Sequence, residues 1–282
     1  MIGWQAKTSA PPSGYTYGAR YRPSLLNAMR AIVYVARGKP RSLARDAALL
    51  LWDVPATPLV RGLDNVPEEG PLVVVANHYE RPGLWMAWPA VLVAHVMRLR
   101  TGCDIRWIAI EEWDSFQVAG IHVSRDLIRT VFQRAFRTFG ILAMARPDTP
   151  AVARAKSMRA ATQEIKDGRV IGLMPEGDVG PTPELLEARE GVGVFLHLMA
   201  AAGALILPVG ISEEQGRLVT HFGHPFELSI PRHVPKAERD HWVREHVMRA
   251  IRDLLPPPLW GFYRNQGKGH EIEDSDRAPA LS

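Results

Sequence analysis

Pro71-Leu-Val-Val-Val-Ala76 runs directly into Asn77-His78, and a second apolar run, Arg169-Val-Ile-Gly-Leu173, runs into Met174-Pro-Glu-Gly177. Short uncharged runs of this kind read as strands buried on both faces. Each ends in a loop that carries an ionisable side chain, and such loops at the carboxyl ends of strands are where α/β folds place their chemistry. Further strands are expected at Ile105 to Ile110, Ile141 to Ala145 and Leu205 to Ile211, with a β segment over Leu218 to Phe222 after the Gln215-Gly216 turn. Between them lie helical patterns. One starts at Pro82 and runs through Trp85, Met86 and Trp88 to about Arg98, and another carries the stripe Leu127, Ile128, Val131, Phe132, Ala135, Phe136 and Phe139, read as core packing. Two more span 150 to 167 and 192 to 202, and a last amphipathic helix buries Trp242, Val243, Val247, Ile251 and Leu254. Strands alternating with helices predict an α/β fold, with a central mostly parallel or mixed sheet flanked by helices.

With 282 residues, 46% of them hydrophobic, the chain is expected to form one domain with terminal extensions. The reading places a mobile Pro/Ser/Gly-rich segment at 1–20, a pair of N-terminal helices at 21–56 broken by Gly38-Lys39-Pro40, the α/β domain at 57–263 and a disordered tail at 264–282. The single cysteine, Cys103, excludes an internal disulfide and a Cys-rich zinc site, and is read as a buried inert thiol. No secretory h-region opens the chain, and the long apolar run Val194 to Ile211 is broken by His197, Gly203 and Pro208, which suits a helix turning into a strand rather than a membrane span. A cytoplasmic protein is expected.

The net charge of +4 hides an asymmetry. Residues 1–53 hold Lys7, Arg20, Arg22, Arg30, Arg37, Lys39, Arg41 and Arg45 against Asp46 and Asp53. Leu25, Leu26, Met29, Ile32, Val33 and Ala36 share one helical face beside these charges, so the segment either packs on the domain or docks on the inner face of an anionic membrane. No basic patch interleaved with stacking aromatics is present, and no nucleic-acid partner is expected. No metal is expected either: His241 and His246 miss the i, i+4 spacing, and His221 and His224 flank a turn without a third ligand. A Gly-x-Ser-x-Gly elbow and a Gly-rich phosphate loop are both missing, which argues against a serine hydrolase or a nucleotide-binding enzyme.

Four segments, in order, resemble the glycerolipid acyltransferase family, whose bacterial member makes phosphatidic acid from lysophosphatidic acid. Asn77-His78-Tyr-Glu-Arg-Pro-Gly83 resembles its Asn-His motif, except that Gly83 stands where the family has Asp. Gly140-Ile-Leu-Ala-Met-Ala-Arg146 resembles the second motif, Met174-Pro175-Glu176-Gly177-Asp178-Val179 the third and Ile206-Leu-Pro208-Val209-Gly210 the fourth. Glu111-Glu112-Trp113 and Arg189-Glu190-Gly191 also fall where the family has a strand end and a basic residue before a helix-opening Gly. The resemblance covers roughly residues 60 to 230 and implies a divergent member that moves an acyl group from acyl-CoA or acyl-acyl carrier protein to a lipid hydroxyl, without a further cofactor.

Acyl transfer to a hydroxyl needs a base, and a neutral imidazole suits that task, so His78 is assigned the role. Arg146 at a strand end can hold a phosphate bidentately, with help from Arg189. The resemblance also places Asn77, Pro175, Glu176 and Gly177 at the substrate, Glu176 to orient the acceptor or neighbouring backbone groups. Trp85, Met86 and Trp88 are read either as the lining of an acyl groove or as core. Two departures bear on the chemistry. Gly83 cannot accept a hydrogen bond from the imidazole, which leaves Glu80, Asp178 or a backbone carbonyl as the candidate substitute, and Val179 replaces a second phosphate-binding Arg. The alternatives to transfer are a lipid or acyl-thioester binder of the same fold that has lost catalysis, or a thioesterase-like hydrolase.

Overall fold

Val73, Val74 and Val75 have no exposed surface, and every residue of their strand and of Val170–Leu173 is buried, so both faces of the sheet are covered at its centre. The computed structural model describes residues 11–18, 25–46, 57–110, 116–118, 121–145 and 149–265. In chain order these contain α1 (Leu25–Arg37), β1 (Leu59–Arg61), β2 (Leu72–Ala76), α2 (Ala87–Thr101), β3 (Ile105–Ile110), β4 (Phe116–Val118), β5 (Ile121–Val123), α3 (Arg125–Phe139), β6 (Leu142–Met144), α4 (Ala151–Lys166), β7 (Val170–Leu173), α5 (Val192–Ala201), β8 (Leu205–Glu214), β9 (Arg217–Phe222) and α6 (Arg239–Arg252).

Seven strands form one sheet in the order β1-β9-β8-β2-β7-β3-β6, parallel throughout except where β9 returns antiparallel to β8. β4 and β5 form a separate antiparallel hairpin. The helices α4, α5 and α6 pack against one another and onto β7, β8 and β2, while α2 packs on β3 and β9. The fold is the expected one: a mostly parallel α/β sheet between helical layers. Glycines stop its helices, Gly102 after α2 and Gly140 after α3, both at positive φ with the N–H returned to a carbonyl of the last turn.

Several local expectations are corrected. Pro82 does not open a helix. It lies in a tight turn, Arg81 to Leu84, closed by Arg81 N–H donating to Leu84 O (3.2 Å) and Leu84 N–H to Arg81 O (2.9 Å), and α2 begins only at Ala87. β8 runs three residues past Ile211, and β1 and the β4–β5 hairpin carry too little apolar pattern to be read from sequence. The α3 stripe is not all core: Ile128 is buried, but Leu127, Val131 and Phe132 are 44–56% exposed. Trp242 is half-buried, and Cys103, read as buried, is exposed beyond the end of α2. Of the N-terminal pair, α1 forms and residues 43–46 are helical, while 47–56 lie outside the described residues. Residues 11–18, expected in a mobile segment, instead follow the protein surface, where Tyr15 packs against the core. The expected disordered tail begins with Arg264, whose guanidinium donates to Glu184 and to Pro258 O; residues 266–282 lie outside the described ones.

The tightest helix contact is glycine-dependent. A Cβ on Gly193 in α5 would sit 2.2 Å from the Asp240 carbonyl oxygen of α6, a distance no carbon tolerates. Gly193→Ala must therefore force α5 and α6 apart, and a loss of about 1–3 kcal/mol is expected for such overpacking. A thermal melt of this variant beside the parent chain measures it.

Candidate active site

β2 and β7 are parallel neighbours paired Val75 to Leu173, and the same offset carried three residues past that pair sets His78 opposite Glu176. Glu176 is only 5% exposed, and each of its oxygens accepts one backbone N–H: Oε1 from His78 (2.6 Å) and Oε2 from Leu186 (2.8 Å). Burial pushes its carboxyl up to about 8, and these two N–H groups pull the other way. Glu176 thus ties the backbone of the His78 loop to that of Leu186.

Asn77 is buried, and its side-chain amide copies a strand pairing. Nδ2 donates to Ile211 O (3.0 Å) and Oδ1 accepts from Ile211 N–H (2.7 Å) on β8. The amide expected at the substrate is therefore engaged in fixing the start of the His78 loop. Pro175 O accepts the Arg189 N–H (2.9 Å). Gly177 sits at φ 65°, and a Cβ there would meet the Arg189 side chain at 3.0 Å, so Gly is needed both for the turn and for the close lie of that arginine. The site thus brings together Asn77, His78, Pro175, Glu176, Gly177 and Arg189. Arg146 and Glu111-Glu112-Trp113 lie outside the described residues.

His78 is half-buried, and burial pushes its pKa down to about 4 against the opposing pull of the Asp178 carboxylate. Its Nδ1 is buried and, among the described residues, has no hydrogen-bond partner. Neither candidate substitute carboxylate bonds to it here. Glu80 accepts from the Met86 N–H at the head of α2 (3.2 Å), and the exposed Asp178 accepts from the Val179 N–H (2.7 Å). Gly83 explains the missing aspartate. It follows Pro82 at φ 86°, the third position of a turn that demands positive φ there, where a carboxylate-bearing residue would be strained.

An anion at the start of α5 is already supplied from within. Asp240 of α6 accepts the N–H groups of Gly191 (3.2 Å) and Val194 (3.0 Å), and Arg244 holds that carboxylate at 3.0 Å. Among the described residues no group of His, Cys, Asp and Glu is arranged to hold a metal ion. Trp88 is buried in the core and Trp85 is 55% exposed, so of the proposed groove residues only Trp85 and the half-buried Met86 face outward in part.

Sequence reasoning missed a buried cluster beside the site. Arg81 forks onto Glu213 (Nε to Oε2 2.8 Å, Nη2 to Oε1 2.6 Å), with both side chains removed from solvent. The only hint was a pair of glutamates, Glu213-Glu214, closing an otherwise apolar strand.

The strand-end histidine and the buried Pro-Glu-Gly turn lie at the carboxyl edge of the parallel strands, where α/β folds bind their ligands. The profile of the Acyltransferase family matches residues 58–212, more than half of the chain, and the protein belongs to that family. Among curated proteins none matches its sequence. Among solved structures the chain is similar to the 1-acyl-sn-glycerophosphate (LPA) acyltransferase PlsC from Thermotoga maritima, at 18% identity over 81% of this chain and 87% of that one, with a TM-score of 0.48.

Two outcomes are expected. In Glu176→Gln the new amide can accept only one of the two N–H groups and presents its own donor to the other, a loss of about 1–3 kcal/mol in a denaturant titration run above pH 8, where the parent carboxyl is ionised. A reaction that needs neutral His78 should persist down through pH 5 and be lost only as pH falls through about 4, far below the ordinary histidine midpoint, in a kcat/KM profile.

Proposed function

We propose that this acyltransferase moves a fatty acyl chain from acyl-CoA or acyl-acyl carrier protein to a hydroxyl of a lysophospholipid or related lipid, with His78 as general base. The observation that carries this reading is the half-buried His78 imidazole, neutral at physiological pH, projecting from a main chain that Asn77 and Glu176 hold still. The imidazole takes the acceptor's hydroxyl proton as that oxygen attacks the thioester carbonyl. Collapse of the tetrahedral adduct breaks the carbon–sulfur bond, and the imidazolium returns the proton to the departing thiolate. An imidazole of low basicity takes the proton with less driving force, so proximity and orientation carry more of the rate than in a site with an assisted base. Arg189, whose side chain lies against Gly177, is the proposed contact for an anionic acceptor, with Arg146 as its proposed partner.

The surface supports a lipid acceptor. Leu26, Met29, Ile32 and Val33 on α1 are 42–67% exposed, and α1 packs against α3, whose Leu127, Val131 and Phe132 are also bared. Arg30, Arg37, Arg129, Arg134 and Arg137 are exposed on the same two helices. Apolar side chains rimmed by arginine suit the headgroup region of an anionic leaflet, here the inner face of the membrane. No helix among the described residues is long and apolar enough to cross a bilayer.

Labelled acyl-CoA offered with a panel of lysolipids tests the reaction. Product is expected, and His78→Ala should lower its rate by about 10²–10⁴. Free fatty acid alone would mean a hydrolase, and thioester binding without turnover would mean a carrier. For docking, flotation with phosphatidylserine-containing vesicles should retain the protein and release the double variant Ile32→Asp with Phe132→Asp. Equal retention of both would remove the docking surface.

A further inference from the structure

The buried cluster at the end of β8 is joined to the His78 loop at two places and to the N-terminal segment at a third. Glu213 Oε2 accepts from Arg81 Nε (2.8 Å), Tyr79 Oη (2.9 Å) and Gly18 N–H (3.3 Å), and Oε1 accepts from Arg81 Nη2 (2.6 Å). Three donors converge on Oε2 and one on Oε1, so Glu213 holds together groups from the His78 loop and the N-terminal segment. Tyr15 Oη completes the cluster: it accepts the Glu213 N–H and lies 3.0 Å from Tyr79 Oη. Because Tyr79 gives its hydrogen to Glu213, the hydrogen between the two phenols comes from Tyr15. Arg81 also donates to Pro82 O at 2.8 Å, bracing the turn that contains Gly83, and its guanidinium lies 5.5 Å from the Tyr17 ring.

The consequence falls on His78. Asn77 is fixed to β8, Tyr79 and Arg81 are fixed to Glu213, and the His78 N–H is fixed to Glu176, so the main chain is pinned on both sides of the imidazole. We infer that Tyr15, Arg81 and Glu213 are positioning residues for the reaction, holding the His78 loop through the main chain where no described group holds the ring itself. The inference rests on the assignment of His78 as base. Tyr15 lies before the family-matched segment, Tyr79 and Arg81 lie inside it, and Glu213 is one residue past its end.

Tyr15→Phe, which removes one oxygen, Arg81→Lys, which keeps the charge but loses the two-pronged grip, and Glu213→Gln test it beside His78→Ala. In the same acyl-transfer assay kcat should fall about ten- to a hundredfold, the cost of a base displaced by a fraction of an ångström to an ångström. KM for thioester and acceptor should stay within about twofold, because on this reading the cluster places the base and not the substrates. The acid limb of the pH profile should keep its position, and Tyr15→Phe, which strands the buried Glu213 N–H, should melt somewhat below the parent yet stay folded at the assay temperature. Unchanged kcat in Tyr15→Phe and Arg81→Lys, with His78→Ala inactive, overturns the positioning role and leaves the base assignment standing. Full turnover in His78→Ala overturns the base assignment, and the positioning role with it. A kcat loss that merely follows loss of folded protein also overturns the inference. If Arg81→Lys or Glu213→Gln fails to fold, Tyr15→Phe decides alone.

Discussion

The carboxylate of Glu176 takes one backbone N–H from the loop after β2 and one from the segment leading toward α5, and it does so out of contact with water. A buried acceptor of this kind is stable only while both donors stay in place, and each donor is satisfied only by it. The two strand-end loops and the approach to α5 therefore hold or fail together. Everything chemical in the molecule is built on that bridge: it sets the height of His78 above the sheet and the turn on which Arg189 rests.

A second constraint explains the divergence of the His78 loop. The turn from Arg81 to Leu84 uses Pro82 for its fixed φ and Gly83 for its positive one, and in exchange for a carboxylate it gains a tight reversal that aims Arg81 inward at Glu213. Removing one member of such a buried ion pair strands the other in an apolar setting, which is why the loop and the end of β8 behave as one unit. The main chain on both sides of the imidazole is held, while its buried Nδ1 has no hydrogen-bond partner among the described residues.

The fold was legible because its centre is written in runs that need no tertiary context. Leu72–Ala76 and Ile105–Ile110 were read to the residue, and the helices at 151–166 and 192–201 to within one or two. The loop positions of His78, Glu176 and Gly177 were legible because they follow buried strands directly, whereas Arg189 was singled out only through the family resemblance. What escaped was of another physical kind. Pro82 suits a turn as well as it suits a helix start, and only the closure onto Leu84 decides between them. The Arg81–Glu213 pair is invisible in one dimension, because charged residues 132 positions apart carry no sign that they meet out of water. Exposure of half the α3 stripe was equally hidden: periodicity marks an apolar face but not what covers it.

The described sheet ends on both sides in a strand of only three residues, β1 and β6, and β1 carries an exposed arginine paired to Glu214. Rims this short, one of them charged, give an incoming chain almost no ladder to zip onto. A protein that bares so much apolar helix therefore still offers little backbone on which to seed cross-strand aggregates. Copies brought to high concentration would meet through their bared helices, not through the backbone of the sheet.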